Sequence, residues 1–412
     1  MKILIAAPHR SIVGGIETYL QTLIPALLQR GHAVAALVDH YVNPALSTID
    51  PPEAQLPVWY AEDLRRNPDL WREVAEWRPE VVYSHGLTSL DVDRELQQQY
   101  PTVTYLHGYW GTCATGRKCQ TFPKVQTCTR KFGPACLLLH YPRRCGGLNP
   151  LLALRMYQSE RARHARLAEY ATILVASTHM YEEFRRNGVS ADRLNLLRLP
   201  IDGIPRSMPP EGKTPAGKLL FLGRLTDLKG VDFLLRAIPA AQQKLGKRLT
   251  LTVGGDGGEL PKLKELAHAL GVEVTFTGWV SGDGRVDLLR GADLLVVPSL
   301  WPEPFGLVGV EAGCVGVPAA GFAAGGIPDW LIPGQTGELA PADPPSAQGL
   351  ADAMVRALAG AEHYNDLCRG AFEFSKLFTL DRHLEELETI LSAQAQSPPG
   401  PDIQRQLADF LQ

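Results

Sequence analysis

The stretch KILIAAPHRSIVGGIETYLQTLIPALLQRGHAVAALV, residues 2–38, decides the fold. Residues 2–7 make an almost wholly apolar run, too short for a helix and right for a strand buried on both faces. A loop carrying Gly14-Gly15 follows. Ile16, Leu20, Leu23, Ile24, Leu27 and Leu28 then recur at spacings of three and four, one stripe of a helix that Gly31 ends. Residues 33–38 supply a second apolar run. Strand, helix and strand in this order form the unit of a parallel sheet, because parallel strands need a crossover between them.

Outward from this unit the alternation continues. Strands are expected over 80–84, 102–106 and 172–176. A linker over 196–202 leads into a Pro/Gly-rich stretch, 205–217. The pattern then restarts, with strands at 218–222, 249–253, 273–276 and 293–297 and helices over 231–245, 259–270 and 283–290. Further helices are expected from 340 to 359 and over 379–392. A breaker cluster at 397–401 and a short amphipathic stretch at 403–411 close the sequence. No repeat of solenoid length is present.

The 412 residues suit two α/β cores of about 200 residues each. The expected domains are 1–200, 201–378, and a C-terminal helix and tail, 379–412, packing back on the first. Both domains read as doubly wound, so ligands belong at the carboxyl ends of the strands and in the cleft between the sheets.

Composition narrows the function. Hydrophobic content of 45% and charged content of 21% are those of a folded protein. A net charge of −3 argues against nucleic acid as a partner. No apolar run reaches the roughly 18–20 residues that span a bilayer. The apolar N-terminus is too short for a signal segment and runs into Gly14-Gly15, so a cytoplasmic protein is expected. The loop 8–15 lacks the G-x-G-x-x-G of a dinucleotide-binding dehydrogenase, and neither a P-loop nor G-x-S-x-G occurs.

The residues that carry chemistry lie between Gly223 and Glu311. Strand 218–222 ends in Gly223-Arg224, and Lys229-Gly230 precede a helix. Two cations at the carboxyl end of a strand suit a phosphate or diphosphate; alone, they read equally well as surface charges. Strand 293–297 runs into Pro298-Ser299-Leu300-Trp301-Pro302-Glu303-Pro304-Phe305-Gly306. The two prolines hold Glu303 extended, outside any helix. Its carboxylate, with backbone N–H groups at Phe305, Gly306 and Leu307, can bind sugar hydroxyls. Glu311 sits among apolar neighbours and needs a partner.

This ordered set resembles the retaining GT-B glycosyltransferases of family 4. The likeness extends to Gly14-Gly15-Ile16-Glu17, Arg30-Gly31-His32, the glycines of 254–257, Gly325-Gly326-Ile327-Pro328 and Thr336-Gly337, and so covers nearly the whole chain. It implies an α/β fold of two Rossmann-like domains facing across a cleft. It implies transfer of a hexosyl-type sugar from a UDP- or GDP-sugar to a glycan, lipid-linked or small-molecule acceptor. Arg224 and Lys229, with Gly223, would hold the donor diphosphate. Glu303 would hold donor-sugar hydroxyls, aided by Phe305, Gly306 and Leu307, and Glu311 the ribose. Gly14 and Gly15 would approach the distal phosphate, Gly254 would line the nucleotide, and His107 would face the reacting sugar. Two positions depart from the pattern: Asp329 stands where the family has Glu, and residues 199–203 are an atypical linker. A nucleotide-sugar 2-epimerase and a non-catalytic partner subunit share the fold and remain alternatives. No cofactor is required, since two cations can balance the leaving diphosphate.

Two features lie outside the motif set. Cys113, Cys119, Cys128, Cys136 and Cys145 cluster in a basic insert at about 109–150, and similar inserts occur in part of the family. Free thiols or adventitious disulfides compete there with a structural zinc or iron–sulfur site, although the spacing is not the paired C-x2-C of zinc ribbons. From 117 to 166 there are eleven Lys/Arg and one acid, Glu160, a net +10. That segment is read either as a solvated surface or as the seat of an anionic acceptor or an anionic membrane. Peripheral contact with the inner face of the membrane is the expectation that follows.

Overall fold

The computed structural model describes residues 1–43, 45–51, 55–208 and 212–396. The opening unit forms as expected: β1 (Lys2–His9), α1 (Gly15–Gln29) and β2 (Ala33–His40), with β1 and β2 in parallel register from Lys2 beside Ala33. The alternation continues through β3 (Val58–Tyr60), α2 (Ala61–Arg66), α3 (Leu70–Trp77), β4 (Val81–Ser84), α4 (Leu90–Gln99) and β5 (Thr102–Leu106). The insert follows β5. It holds a two-stranded ribbon, β6 (Cys119–Gln120) and β7 (Gln126–Thr127), then α5 (Ala135–Leu139) and α6 (Pro150–Arg166). β8 (Thr172–Val175), α7 (Thr178–Arg186) and β9 (Leu194–Leu196) complete the first domain.

These strands make a seven-stranded parallel sheet, ordered β3-β2-β1-β4-β5-β8-β9. The order reverses at β1, where the loop carrying Gly14 and Gly15 begins. Strand β9 falls where a linker was expected to start; a three-residue strand carries too little pattern to be seen in sequence.

The second domain runs β10 (Lys218–Leu222), α8 (Val231–Leu245), β11 (Thr250–Gly254), α9 (Leu260–Leu270), β12 (Val274–Gly278), α10 (Gly282–Gly291) and β13 (Leu294–Val297). It continues with α11 (Val308–Cys314), β14 (Ala319–Phe322), β15 (Gly337–Ala340), α12 (Ala347–Leu358) and α13 (Ala361–Ser375). Its six parallel strands are ordered β12-β11-β10-β13-β14-β15, reversing at β10. Helix α14 (Leu380–Ala395) crosses back to the first domain. There His383 accepts or donates to Tyr19 Oη at 2.7 Å, and Glu388 pairs with Arg30 and His32. The expected amphipathic stretch at 403–411 lies outside the described residues.

Each sheet presents its carboxyl edge to the other across the cleft. Contacts there are direct: Asp329 accepts from the backbone N–H and the hydroxyl of Thr178, at the start of α7, at 2.8 and 3.0 Å. The Asp at the departing position thus supplies charge to a helix N-terminus across the cleft. From the insert, Arg117 pairs with Asp227 at 2.9 Å, and Gln126 donates to Asp343 at 2.8 Å.

Candidate active site

The β10 and β13 loops are packed so tightly that only glycine fits between them. Gly230 has φ +65°, and a Cβ there would lie 2.0 Å from the Pro298 carbonyl oxygen. Leu300 N–H bonds to Leu228 O at 2.8 Å, locking the loops together. This approach brings Lys229 to Glu303. Lys229 Nζ donates to Glu303 Oε1 at 2.5 Å, and Ser299 Oγ donates to the same oxygen at 2.5 Å. Glu303 is 6% exposed, and a buried carboxylate needs such partners. Lys229 also lies 5.6 Å from the Trp301 ring centroid.

Glu303 keeps the extended backbone that its flanking prolines predict. It bridges Gly325 in parallel, and its carbonyl accepts from Gly326 N–H at 2.7 Å. Phe305 turns its side chain into the core, 5.6 Å from Phe378, while Trp330 Nε1 donates to its carbonyl at 2.7 Å. Gly306 takes φ +91°. The N–H groups of Phe305, Gly306 and Leu307 make no hydrogen bond within the described residues. A cavity of about 190 Å³ lies here, lined by Phe221, Lys229, Val297, Ser299, Glu303 and Gly306 among others.

The remaining expected site residues lie outside this lining and take different roles. Arg224 is exposed and forms no ion pair with any described residue, so its charge is free. Gly223 and Gly254 are joined by the Gly223 N–H to Gly254 O bond of 3.0 Å. A Cβ on Gly254 would stand 2.6 Å from the tip of the Leu222 side chain, which would have to turn aside. Glu311, half-buried, is ion-paired with Arg285 of α10. On the facing domain, a Cβ at Gly15 would meet nothing within 4 Å, and Gly14 caps α1.

His107, one residue past β5, shares a 2.8 Å hydrogen bond between its Nε2 and Nδ1 of His85, one residue past β4. Burial pushes His107 down to about 3, so it is neutral at neutral pH. Burial, then the neighbouring His107 and His383, lower His85 well below its ordinary value. Tyr109 links the two domains: its ring stands edge-on to Trp301 at 6.5 Å, and its hydroxyl bonds to His179 Nδ1 at 2.8 Å.

Ser299, Arg285 and His85 carry these contacts without having been singled out in the sequence. His85 had a signal: it ends the strand beside the one that His107 ends. Arg285 had none, for it reads as an ordinary charge on a glycine-rich helix.

The cysteine insert does not fit a metal or cluster. Among the described residues no group of three or more His, Cys, Asp or Glu side chains could hold one, and Cys113, Cys119, Cys128, Cys136 and Cys145 are all free thiols. Burial raises Cys119 and Cys145 to about 11, so both are neutral thiols at neutral pH. Instead the insert is organised around Lys118, fully buried and paired with Glu183, whose ammonium also donates to Thr112 O at 3.1 Å and Arg130 O at 2.6 Å.

Residues 13–202 match the family described as Glycosyltransferase Family 4, and residues 206–374 match Glycosyl transferases group 1. The chain belongs to family 4 of the glycosyltransferases. Relatives of this chain include the phosphatidyl-myo-inositol mannosyltransferase of Mycobacterium tuberculosis, 35% identical over 42% of this chain and 43% of that one. The D-inositol 3-phosphate glycosyltransferase of Salinispora tropica is 37% identical over 40% of this chain and 36% of its own length. The chain therefore spans less than half the length of these curated relatives. Among solved structures, Anabaena HepE superposes with a TM-score of 0.68 at 20% identity, over 95% of this chain and 100% of that one. The chain has the two-domain GT-B fold.

Proposed function

We propose that the chain transfers a hexosyl group, with retention, from a nucleoside diphosphate donor to an acceptor hydroxyl. One observation carries the reading: Lys229, Ser299 and Glu303 converge at the β10/β13 switch point, and Arg224, two residues past β10, is exposed. A buried carboxylate held by a partly exposed lysine, with an unpaired cation at the end of the same strand, suits an anionic ligand. Anabaena HepE was solved with UDP and glucose, which supports this class of donor.

Arg224 and Lys229 stabilise the negative charge that grows on the leaving diphosphate, the largest electrostatic demand of the step. With Lys229 and Ser299 both on Oε1, Glu303 Oε2 accepts from hydroxyls of the donor sugar. The N–H groups of 305–307 approach the same ring. Glu311, steadied by Arg285, accepts from the ribose. The bond from C1 to the diphosphate oxygen breaks and one from C1 to the acceptor oxygen forms on the same face. The acceptor proton passes to a donor phosphate oxygen. His107, neutral, offers hydrogen bonds rather than charge. Since two cations balance the diphosphate, chelators leave the rate unchanged.

Thermal denaturation with UDP- and GDP-sugars tests the donor, because a ligand of the native state raises the melting temperature. Arg224→Ala lowers turnover on the order of a hundredfold, the scale of losing one preorganised charge-stabilising group. Undiminished turnover in Arg224→Ala overturns the assignment. Inversion at C1 in the product, read by NMR, overturns retention alone.

A further inference from the structure

Helix α5 reads Ala-Cys-Leu-Leu-Leu, yet none of its residues is fully buried. Burial of such side chains is the main favourable term in folding, so an apolar helix left in water asks for a reason. The pattern extends into α6. Seven of the sixteen exposed large hydrophobic side chains among the described residues fall between Leu137 and Leu154, with Leu138 at 78% and Leu148 at 77% exposure. α5 and α6 pack together through Cys136, Phe132 and Tyr157. On α6 the inward side is marked by buried Ala153, Tyr157 and Glu160, which leaves Leu151, Leu152, Leu154, Arg155 and Arg161 outward.

The charge of this region is smaller than the sequence count and better directed. Lys118 and Arg166 are buried against Glu183 and Asp93, and Arg117, Lys124 and Arg163 face Asp227, Asp343 and Glu160. Arg130, Lys131, Arg143, Arg144, Arg155 and Arg161 have no acidic partner among the described residues.

We propose that this face of the insert docks on an anionic lipid bilayer, its leucines entering the headgroup region and its arginines lying on lipid phosphates. A soluble polyanion would occupy the arginines and leave the leucines in water. An apolar protein surface would cover the leucines and strand the cations. An anionic membrane surface satisfies both at once. No helix among the described residues is long and apolar enough to cross a membrane, so the contact lies in the plane of the surface. The insert is tied to the second domain by Arg117 on Asp227, in the turn that carries Lys229, and by Gln126 on Asp343. Docking therefore holds the cleft close to the lipid. That the acceptor is itself carried on lipid rests on the transfer reading above; the docking does not.

The test is sedimentation of the whole protein with phosphatidylcholine vesicles, with and without phosphatidylglycerol, at low and high salt. Binding is expected only with the anionic lipid, and salt weakens it by screening. Arg155→Glu plus Arg161→Glu lowers affinity by about tenfold or more, and Leu151→Ser plus Leu152→Ser by a similar factor. All four positions are exposed, so melting temperatures stay at the wild-type value and report that the fold is intact. Absent or lipid-independent sedimentation overturns the proposal. So does a leucine variant that binds anionic vesicles as tightly as wild type, or binding to heparin without binding to vesicles. A protein that transfers sugar yet ignores vesicles leaves the transfer reading standing and removes only the docking.

Discussion

At the scale of single residues, the bond between His85 and His107 admits two arrangements of protons, and only one is cheap. If His107 Nε2 carried the proton, His85 would carry its own on Nε2, which is buried without a partner. An orphaned buried N–H is rare and costly, whereas a bare lone pair is tolerated more readily. His85 Nδ1 therefore donates, and His107 keeps its proton on Nδ1. Replacing His85 with Phe frees His107 to change tautomer, so turnover should fall about tenfold to a hundredfold with little change in donor KM. His85→Asn, which can still donate, should recover part of that loss. The same burial has a second consequence. His107 is lowered to about 3, His179 and His383 to about 4, and His85 well below its ordinary value, all chiefly by desolvation. Below pH 6.5 the unfolded chain takes up protons that the folded one refuses, so stability is lost as pH falls from about 6.5 towards 4. Each such histidine adds to the loss in that window, because it stays neutral in the fold while its unfolded counterpart is protonated. Melting temperatures measured between pH 7 and 5 should fall accordingly, and His179→Gln should make that fall shallower. An unchanged melting temperature over that range would contradict the burial of all four.

Among elements, two glycines at equivalent places separate packing from binding. Gly230→Ala must displace the Pro298 carbonyl and adopt φ +65°, moving Lys229 off Glu303. A loss of stability of about 1–3 kcal/mol and of most activity is expected. Gly15→Ala meets no protein atom and gains helix propensity, so the melting temperature should hold or rise by the equivalent of up to about 1 kcal/mol. If Gly15 approaches a phosphate, donor binding in that variant weakens even so. Glycine also explains what the sequence hid. β14 and β15 escaped notice because they read Ala-Ala-Gly-Phe and Gly-Glu-Leu-Ala, without the β-branched residues that mark strands. Side chains there would collide: a Cβ on Gly321 lies 2.6 Å from Val297 O, and one on Gly337 lies 1.9 Å from Ala319 O. Strands such as β1 and β13, buried on both faces by Ile, Leu and Val, were plain from their runs. Glu303 was legible through its prolines and Lys229 through its strand end. Arg285 of α10 reaches Glu311 of α11 from 26 residues away in sequence, a contact that no local pattern encodes.

For the whole molecule, α14 decides when the first domain is finished. Leu384, Leu387 and Leu391 are buried, the last two completely, and His383 closes on Tyr19 in the first domain's interior. Leu387→Ala should cost about 2–5 kcal/mol, a large part of the stability of an ordinary domain, and calorimetry would show the loss. The sequence marked 379–392 as helical, and its amphipathic face is what the first domain lacks. This connection bears on the order of manufacture. A ribosome emits residues 2–196, the strands of the first sheet, long before it emits residue 380, and the whole second sheet comes out in between. The domain translated first is thus the last to be sealed, waiting through roughly half of synthesis with the floor beneath Tyr19 open. Chains stalled on the ribosome ahead of residue 380 should bind a chaperone through that gap, while chains stalled after α14 has left the exit tunnel should not.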